Sequence, residues 1–325
     1  MSASQRHDVR VGNRTLSLSN LDKVLWPRDG YAKRDLIGYY QSIAPQAIAH
    51  LKGRPLTVQR YPNGIDGATF FEKQVPKGVP DWIERVTVPT PGGTRSEVTF
   101  PLCNDEPSLV YFANLAAIVL HVWTSGLPDL DEPEFVLFDL DPGEKCTLAT
   151  LAKVTLTIRD LLASVGLRSL VKTTGGYGLH LVVPLAAGYS YDTAKVFAEI
   201  VARRAAAECK SAATLQRTIA KRPQEAVYID FVQVGLGKTI VSPYSVRARD
   251  GAPVSTPLEW EEVEAAARRR SSILPADEFA KHTIRTVPGR VARDGDLWGG
   301  KRWKKQRLEG PSAKAARLWA DSARG

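Results

Sequence analysis

Apolar and polar positions alternate with a period of two in several short runs and near 3.6 in several longer ones. The chain therefore predicts strands mixed with amphipathic helices. Val9 to Leu18 alternates around Gly12-Asn13, the signature of a hairpin with a two-residue turn. Lys33 opens a helical pattern running to residue 51, with Leu36, Tyr39, Tyr40, Ile43 and Ile48 facing inward. Residues 54–60 read as a strand, and residues 83–88 with 95–100 as a second hairpin around Pro91-Gly92-Gly93. Residues 108–122 are strongly apolar and read as a helix that delivers His121 near its end. Thr147 caps a helix to residue 165, with Leu148, Leu151, Ile158, Leu161, Leu162 and Val165 inward. Asp192 caps another to residue 209, and Thr256-Pro257-Leu258-Glu259 is a capping box that starts a helix to residue 270. Strands are expected over 169–173, 179–185, 227–232 and 238–243.

One strand carries unusual polarity. Phe135-Val136-Leu137-Phe138 runs into Asp139-Leu140-Asp141 and stops at Pro142-Gly143. Positions i and i+2 of a strand share a face, so the two carboxylates project together. Side by side they repel unless a cation lies between them, and oxygen-only ligands favour Mg²⁺ or Mn²⁺. The alternative for a lone DxD is a solvated strand end, so other positions must decide.

Those positions exist. Asp230 sits in the apolar run Val227-Tyr228-Ile229-Asp230-Phe231, where an acid is costly unless paired or metal-bound. Thr174-Gly175-Gly176-Tyr177-Gly178 places three glycines in a turn whose N–H groups can approach a phosphate, and His180 opens the next strand. No GKS or GKT follows and a strand rather than a helix comes next, so it is not a P-loop; taken alone, the alternative is a tight hairpin with a bulge. Lys238, Arg247 and Arg249 add positive charge. Three strand acids, a phosphate cradle and cationic side chains suit nucleotidyl transfer with two divalent ions. Two other features stay open. Asn20, Lys23 and Lys33 form either a small phosphate pocket or ordinary surface and capping positions. Phe70-Phe71 lies on a strand, where one ring faces the core and the other solvent, or both are buried.

Composition narrows the class. Hydrophobic residues make up 43% and charged residues 24%, a globular balance. No run spans a membrane, the N-terminus lacks a signal-peptide core, and a cytoplasmic location is expected. The net charge of +9 fits a polyanionic partner. Cys103, Cys146 and Cys209 are dispersed without ligand spacing, which argues against a zinc site or a disulfide framework. The expected organisation is a single catalytic domain over 1–290 and a basic extension over 291–325, where Lys301-Arg302-Trp303-Lys304-Lys305 is the densest cluster and reads either as a nucleic-acid-binding tail or as a solvated end.

The sequence resembles the polymerase domain of bacterial DNA ligase D, in the archaeo-eukaryotic primase superfamily. The resemblance covers about residues 10–285. Its motifs are Asn20-Leu21-Asp22-Lys23-Val24-Leu25, Arg60-Tyr61-Pro62-Asn63-Gly64, Phe70-Phe71-Glu72-Lys73-Gln74, Phe138-Asp139-Leu140-Asp141-Pro142-Gly143, Thr174-Gly175-Gly176-Tyr177-Gly178-Leu179-His180, Asp230, and Ser242-Pro243-Tyr244-Ser245-Val246-Arg247. It implies an α/β (α+β) fold with a central, mostly antiparallel sheet flanked by helices. It also implies a stand-alone primase-polymerase that fills short gaps and extends DNA ends in non-homologous end joining, often accepting ribonucleotides.

Residue by residue, the resemblance gives Asp139, Asp141 and Asp230 as catalytic ligands of two Mn²⁺ or Mg²⁺ ions. His121, His180 and Arg247 handle the triphosphate of an NTP or dNTP, with Lys238 on the same motif as Arg247 and Thr174-Gly175 in the cradle. Asn20, Lys23 and Lys33 take the downstream 5′-phosphate, and Phe70 and Phe71 stack at the template bend. Gapped or broken DNA is the implied partner, with Ku and a separate ligase alongside and no membrane. Three positions depart from the family pattern: Thr174 for Ser, Tyr177 for Lys and Gln59 for Lys. Residues 221–226 form a segment one residue longer than usual. Two competing readings are a haloacid-dehalogenase-type phosphohydrolase, disfavoured by Pro142-Gly143 after the acids, and a non-catalytic DNA-end binding module.

Overall fold

The computed structural model describes residues 6–76, 78–89, 96–269 and 277–320. Its chain divides into two compact units, each assembled from separate stretches. The first takes residues 1–128, 239–256 and 281–296, and the second takes 129–238, 257–280 and 297–325.

The first unit is built on a four-stranded antiparallel sheet ordered Thr239–Val241, Ala117–Trp123, Leu56–Arg60, Phe70–Glu72. Three two-stranded ribbons accompany it: Arg6–Val11 with Arg14–Ser19, Val24–Trp26 with Tyr31–Ala32, and Arg85–Pro89 with Glu97–Pro101. The first ribbon turns at Gly12, in the left-handed region (φ 55°), as the sequence predicts. The turn expected at Pro91-Gly92-Gly93 lies outside the described residues.

Two expectations are corrected here. The helix expected from Lys33 to residue 51 is two helices, Lys33–Ser42 and Ala44–Leu51, broken at Ile43 (φ −122°, ψ 16°). Pro45 has no N–H to donate to the Gln41 carbonyl, which takes the Ile43 N–H instead. The apolar run 108–122 is also not one helix. Asp105 caps a helix over Glu106–Asn114, accepting from the Ser108 N–H at 2.9 Å. The chain turns at Ala116 (φ 55°), and Ala117–Trp123 is a strand with partners on both sides. A run buried on every side has no clear period, and the β-branched and aromatic content of Ile118, Val119, Val122 and Trp123 decides for strand.

The second unit holds a six-stranded sheet ordered Ala213–Thr214, Val227–Asp230, Phe135–Pro142, Leu179–Pro184, Leu170–Thr173, Pro257–Leu258. Every pairing is antiparallel except Ala213–Thr214 with Val227–Asp230. The helices Leu148–Ser164, Tyr191–Cys209 and Trp260–Arg268 belong to the same unit. The expected inward face of the first helix is realised: Leu148, Leu151, Ile158, Leu161, Leu162 and Val165 are all buried. Each such side chain contributes about 1.5–3 kcal/mol.

Two boundaries move. Ser190, not Asp192, caps the second helix through the Thr193 N–H, and Asp192 sits in its first turn. Pro257–Leu258 is an edge strand opposite Lys172 and Val171, so the cap passes to Glu259, boxed with Glu262. An edge position tolerates proline because it demands no ladder donor on the outer side.

The fold is thus α+β, with a mostly antiparallel central sheet and helices, as expected. Beyond residue 290 the described chain is partly built into the units. Trp298 is buried and donates to the Val171 carbonyl at 3.0 Å, Trp303 meets Phe135 edge-on at 5.6 Å, and Leu308 is buried. Among the described residues, no helix is long and apolar enough to cross a membrane.

Candidate active site

The register of the six-stranded sheet assembles the polar positions. Asp139 stands opposite Asp230 on one neighbouring strand and opposite His180 on the other. His180 in turn stands opposite Lys172. Directly opposed residues share a face, so one row runs Asp230, Asp139, His180, Lys172 across four strands. Two residues along, Asp141 stands opposite Tyr228 on the same face. The register therefore sets Asp139, Asp141 and Asp230 on one face of the sheet.

Each of the three acids has its own environment. The Asp139 Oδ1 lies 3.2 Å from the His180 Nε2, with both side chains largely buried. The Asp230 Oδ1 accepts the Val232 N–H at 2.9 Å. Asp141 is half exposed, with its Oδ2 3.8 Å from the Arg222 guanidinium, and that guanidinium lies 3.6 Å over the Tyr228 ring. Burial, then Asp139 and Asp230, push the Asp141 carboxyl up to about 7 against the pull of Arg222. Among the described residues, no three His, Cys, Asp or Glu side chains close on a common ion position. The carboxylates point instead to the partners just named. The donor set nonetheless fits a hard divalent cation: oxygen ligands on one face, with like charges that an ion would relieve.

Glycine permits the close approaches around this row. A Cβ on Gly143 would lie 2.2 Å from the Gln224 carbonyl oxygen, where residues 224–226 bond to the end of the acid strand. A Cβ on Gly178 would lie 2.4 Å from the Leu140 oxygen, between the two strand acids. The glycine-rich turn is closed by the Thr174 N–H to the Gly178 carbonyl at 3.0 Å. The Thr174 hydroxyl accepts the Gly176 and Gly178 N–H groups at 3.1 and 3.3 Å. Those two donors are therefore used within the turn. Gly175 is buried in the left-handed region (φ 68°), and Tyr177 is exposed at the tip. The Lys238 ammonium donates to the Val232 carbonyl, two residues beyond Asp230.

The remaining candidates lie in the first unit. His121 is on the Ala117–Trp123 strand, opposite Thr57 and Val241, and its ring lies 5.3 Å from that of Phe71. Phe70 and Phe71 are both about half exposed (51% and 53%), so neither is core, contrary to either sequence reading. Among the described residues their strand pairs on one side only and is the last of its sheet. Arg247 is fixed through its N–H to the Pro253 carbonyl at 2.8 Å.

Asn20, Lys23 and Lys33 come together through the backbone: the Lys23 N–H reaches the Asn20 carbonyl, and the Lys33 N–H reaches the Lys23 carbonyl. The Lys23 ammonium donates to the Asn63 Oδ1 at 2.8 Å, and the buried Lys33 ammonium donates to the Ser19 carbonyl at 2.7 Å. Burial, then Lys23 and Arg60, pull Lys33 down to about 8.

Two participants escaped the sequence reading. Lys172 is fully buried at the end of the acid–histidine row, and a lysine in the apolar strand Leu170–Thr173 was the available signal. Arg222, beside Asp141, lies in a loop whose composition does not distinguish it.

The family model for the LigD primase-polymerase domain matches residues 32–298. The chain belongs to the LigD primase-polymerase domain family. It is 38% identical over 290 residues to the multifunctional non-homologous end joining protein LigD of Mycobacterium bovis, covering 87% of this chain and 36% of the relative. It is 29% identical over 281 residues to the bifunctional LigD of Bacillus subtilis, covering 86% and 43%. The chain therefore spans less than half the length of these LigD relatives. Among solved structures, it matches the polymerase domain of Mycobacterium tuberculosis ligase D in complex with DNA. That match has a TM-score of 0.78 and 35% identity, over 87% of this chain and 96% of that one. The LigD family and its archaeo-eukaryotic primase fold agree with the resemblance read from the motifs.

Proposed function

We propose that the chain is a DNA-dependent nucleotidyltransferase that fills short gaps and extends broken ends during end joining. The observation that carries the reading is the sheet register: Asp139 faces Asp230 across one ladder and His180 across the other, with Asp141 two residues on. The match to a LigD polymerase domain solved with DNA supports DNA as the substrate, and so does the net charge of +9.

In this reading Asp139, Asp141 and Asp230 hold two divalent ions, Mg²⁺ or Mn²⁺. When bound, those ions supply positive charge toward the 3′-hydroxyl and the leaving pyrophosphate. The chain's own groups do the rest. His180 orients Asp139 through the 3.2 Å contact. Thr174 shapes the glycine turn from within. His121, His180, Arg247 and Lys238 neutralise and orient the triphosphate of an NTP or dNTP. Asn20, Lys23 and Lys33 take the 5′-phosphate across the gap, and the exposed Phe70 and Phe71 stack against the bent template. Ribonucleotide use, Ku and a separate ligase belong to the same proposal.

The test is single-nucleotide addition on gapped DNA, with and without a downstream 5′-phosphate, comparing NTPs with dNTPs and Mn²⁺ with Mg²⁺. Metal-dependent, template-directed addition favoured by the 5′-phosphate is expected. Absence of template-directed addition in every combination would overturn the reading.

A further inference from the structure

The first unit contains a buried polar chain that the proposed chemistry does not use. His50 lies in the last turn of the Ala44–Leu51 helix, and Asp296 follows the Val287–Asp294 helix. The Asp296 carboxylate bridges two groups: its Oδ2 lies 2.8 Å from the His50 Nε2, and its Oδ1 accepts the Tyr244 hydroxyl at 2.8 Å. The His50 and Asp296 side chains are only 12% and 14% exposed, and Tyr244 is 2% exposed. The His50 and Tyr244 rings lie 5.9 Å apart.

Tyr244 is also strained. Its φ of 65° is in the left-handed region, which is unfavourable for a non-glycine residue. Such a conformation persists only where its surroundings over-determine it. Here they do: the Tyr244 carbonyl accepts the Tyr39 hydroxyl at 2.8 Å, its N–H reaches the Ser255 carbonyl at 2.6 Å, and the ring is held by Asp296.

The kink aims the segment that follows. Val246 N–H donates to the Tyr40 hydroxyl at 3.2 Å, and Arg247 N–H to the Pro253 carbonyl at 2.8 Å. The same segment grips the His121 strand: the Leu120 N–H donates to the Ser245 Oγ at 2.8 Å, and the Ser242 N–H donates to the Leu120 carbonyl at 2.9 Å. Tyr244 is thus the pivot between two of the groups assigned to the triphosphate, His121 and Arg247.

We infer that His50 and Asp296 are positioning residues for nucleotide binding: they clamp the Tyr244 ring, and the clamped kink fixes Arg247 against the His121 strand. The inference rests on the reading of Arg247 as a triphosphate contact. Neither residue of the pair is assigned a nucleotide contact of its own.

The experiment is steady-state single-nucleotide insertion on gapped DNA by the full chain, with KM for the nucleotide and kcat read separately. Tyr244→Phe removes one oxygen and Asp296→Ala removes the bridge. Each raises KM about tenfold, the scale of losing one charge-assisted hydrogen bond, with kcat changing less. Asp296→Asn keeps an oxygen acceptor for Tyr244 and raises KM less. In an Arg247→Ala background, Tyr244→Phe adds no further increase, because its effect passes through Arg247.

An unchanged KM in Tyr244→Phe overturns the inference, as does the same increase on top of Arg247→Ala. Should Asp296→Ala fail to fold, Tyr244→Phe decides alone. If Arg247→Ala itself leaves KM unchanged, the assignment of Arg247 falls and the inference with it. If Arg247→Ala raises KM and Tyr244→Phe does not, only the clamp falls.

Discussion

The strands Phe135–Pro142 and Ala117–Trp123 are both apolar, interior and paired on two sides, yet they hold their polar groups differently. In the first, Asp139 finds an acid and a histidine directly across its two ladders, so the charges are organised by the sheet register itself. In the second, His121 faces Thr57 and Val241, and Arg247 lies on a separate, kinked segment held by tyrosine hydroxyls and serine. One arrangement is rigid because strands cannot slip without turning every side chain over. The other depends on several single hydrogen bonds around a strained residue. Deleting a charge should be ruinous in the first, whereas loosening should be graded in the second.

The largest effect is expected at Asp139. Asp139→Ala removes the central carboxylate of the row and should lower nucleotide addition at least about a thousandfold, the scale of losing transition-state charge stabilisation. Binding to gapped DNA, measured by fluorescence anisotropy, should persist. Addition within tenfold of the parent would show that the register row is not the catalytic centre.

The next contrast uses one substitution in two places. Gly143→Ala and Gly178→Ala each drive a Cβ into a backbone oxygen, at 2.2 and 2.4 Å. Overpacking of this kind costs about 1–3 kcal/mol or more, and it moves the strand that carries the acids, so both melting temperature and turnover should fall. Gly38, in the Lys33–Ser42 helix, is the counterpart: a Cβ added there would meet nothing within 4 Å. Gly38→Ala should therefore stabilise by about 0.5–1 kcal/mol and leave turnover alone. Thermal denaturation of the three variants decides the matter; a shift of the same sign in all of them would contradict the close approaches.

These glycines also show what the sequence can reveal. The pair Asp139 and Asp141 was legible because a strand alternates and two acids rarely end an apolar run by chance. Asp230 was legible for the same reason. Their union needed the register, which no local pattern encodes. His121 was placed on a helix because residues 108–122 are apolar throughout, and a run buried on all sides shows no period. The break at Ile43 was legible in hindsight from Pro45, since proline cannot donate to Gln41. The exposure of both Phe70 and Phe71 follows from their place on the last strand of the sheet, a property of strand order that local sequence does not carry. The clamp on Tyr244 joins residues 50, 244 and 296, a separation that only the folded chain closes.

A smaller effect is expected at the sheet edge of the first unit. Phe71 is 53% exposed and touches the His121 ring at 5.3 Å, so Phe71→Ala removes little buried area. Stability should change by no more than about 0.5 kcal/mol. If the ring stacks on the template, affinity for gapped DNA should still fall by about fivefold to a hundredfold, since base–aromatic stacking is worth about 1–3 kcal/mol. Unchanged affinity in a filter-binding titration would leave Phe71 only its contact with His121.

The smallest effect, and the one with the clearest sign, concerns Lys33. Its side chain is buried and pulled down to about 8, whereas an unfolded lysine titrates near 10.5. A depressed base is the reverse of the usual stabilising case. The protonated form costs stability below pH 8, and that cost disappears as pH rises toward 10.5. A bound phosphate has the opposite demand, because it favours the protonated ammonium. Any 5′-phosphate advantage that runs through Lys33 should therefore be nearly complete one unit below pH 8 and fade as pH rises through it. The phosphate itself is already largely dianionic above about pH 7 and does not titrate in that window. The ratio of addition rates on 5′-phosphorylated and unphosphorylated gaps should fall about threefold to tenfold between about pH 7 and pH 9, while Lys33→Ala holds a low, flat ratio. A ratio in the parent that stays level across this range would remove Lys33 from phosphate recognition and leave its burial as a purely structural cost.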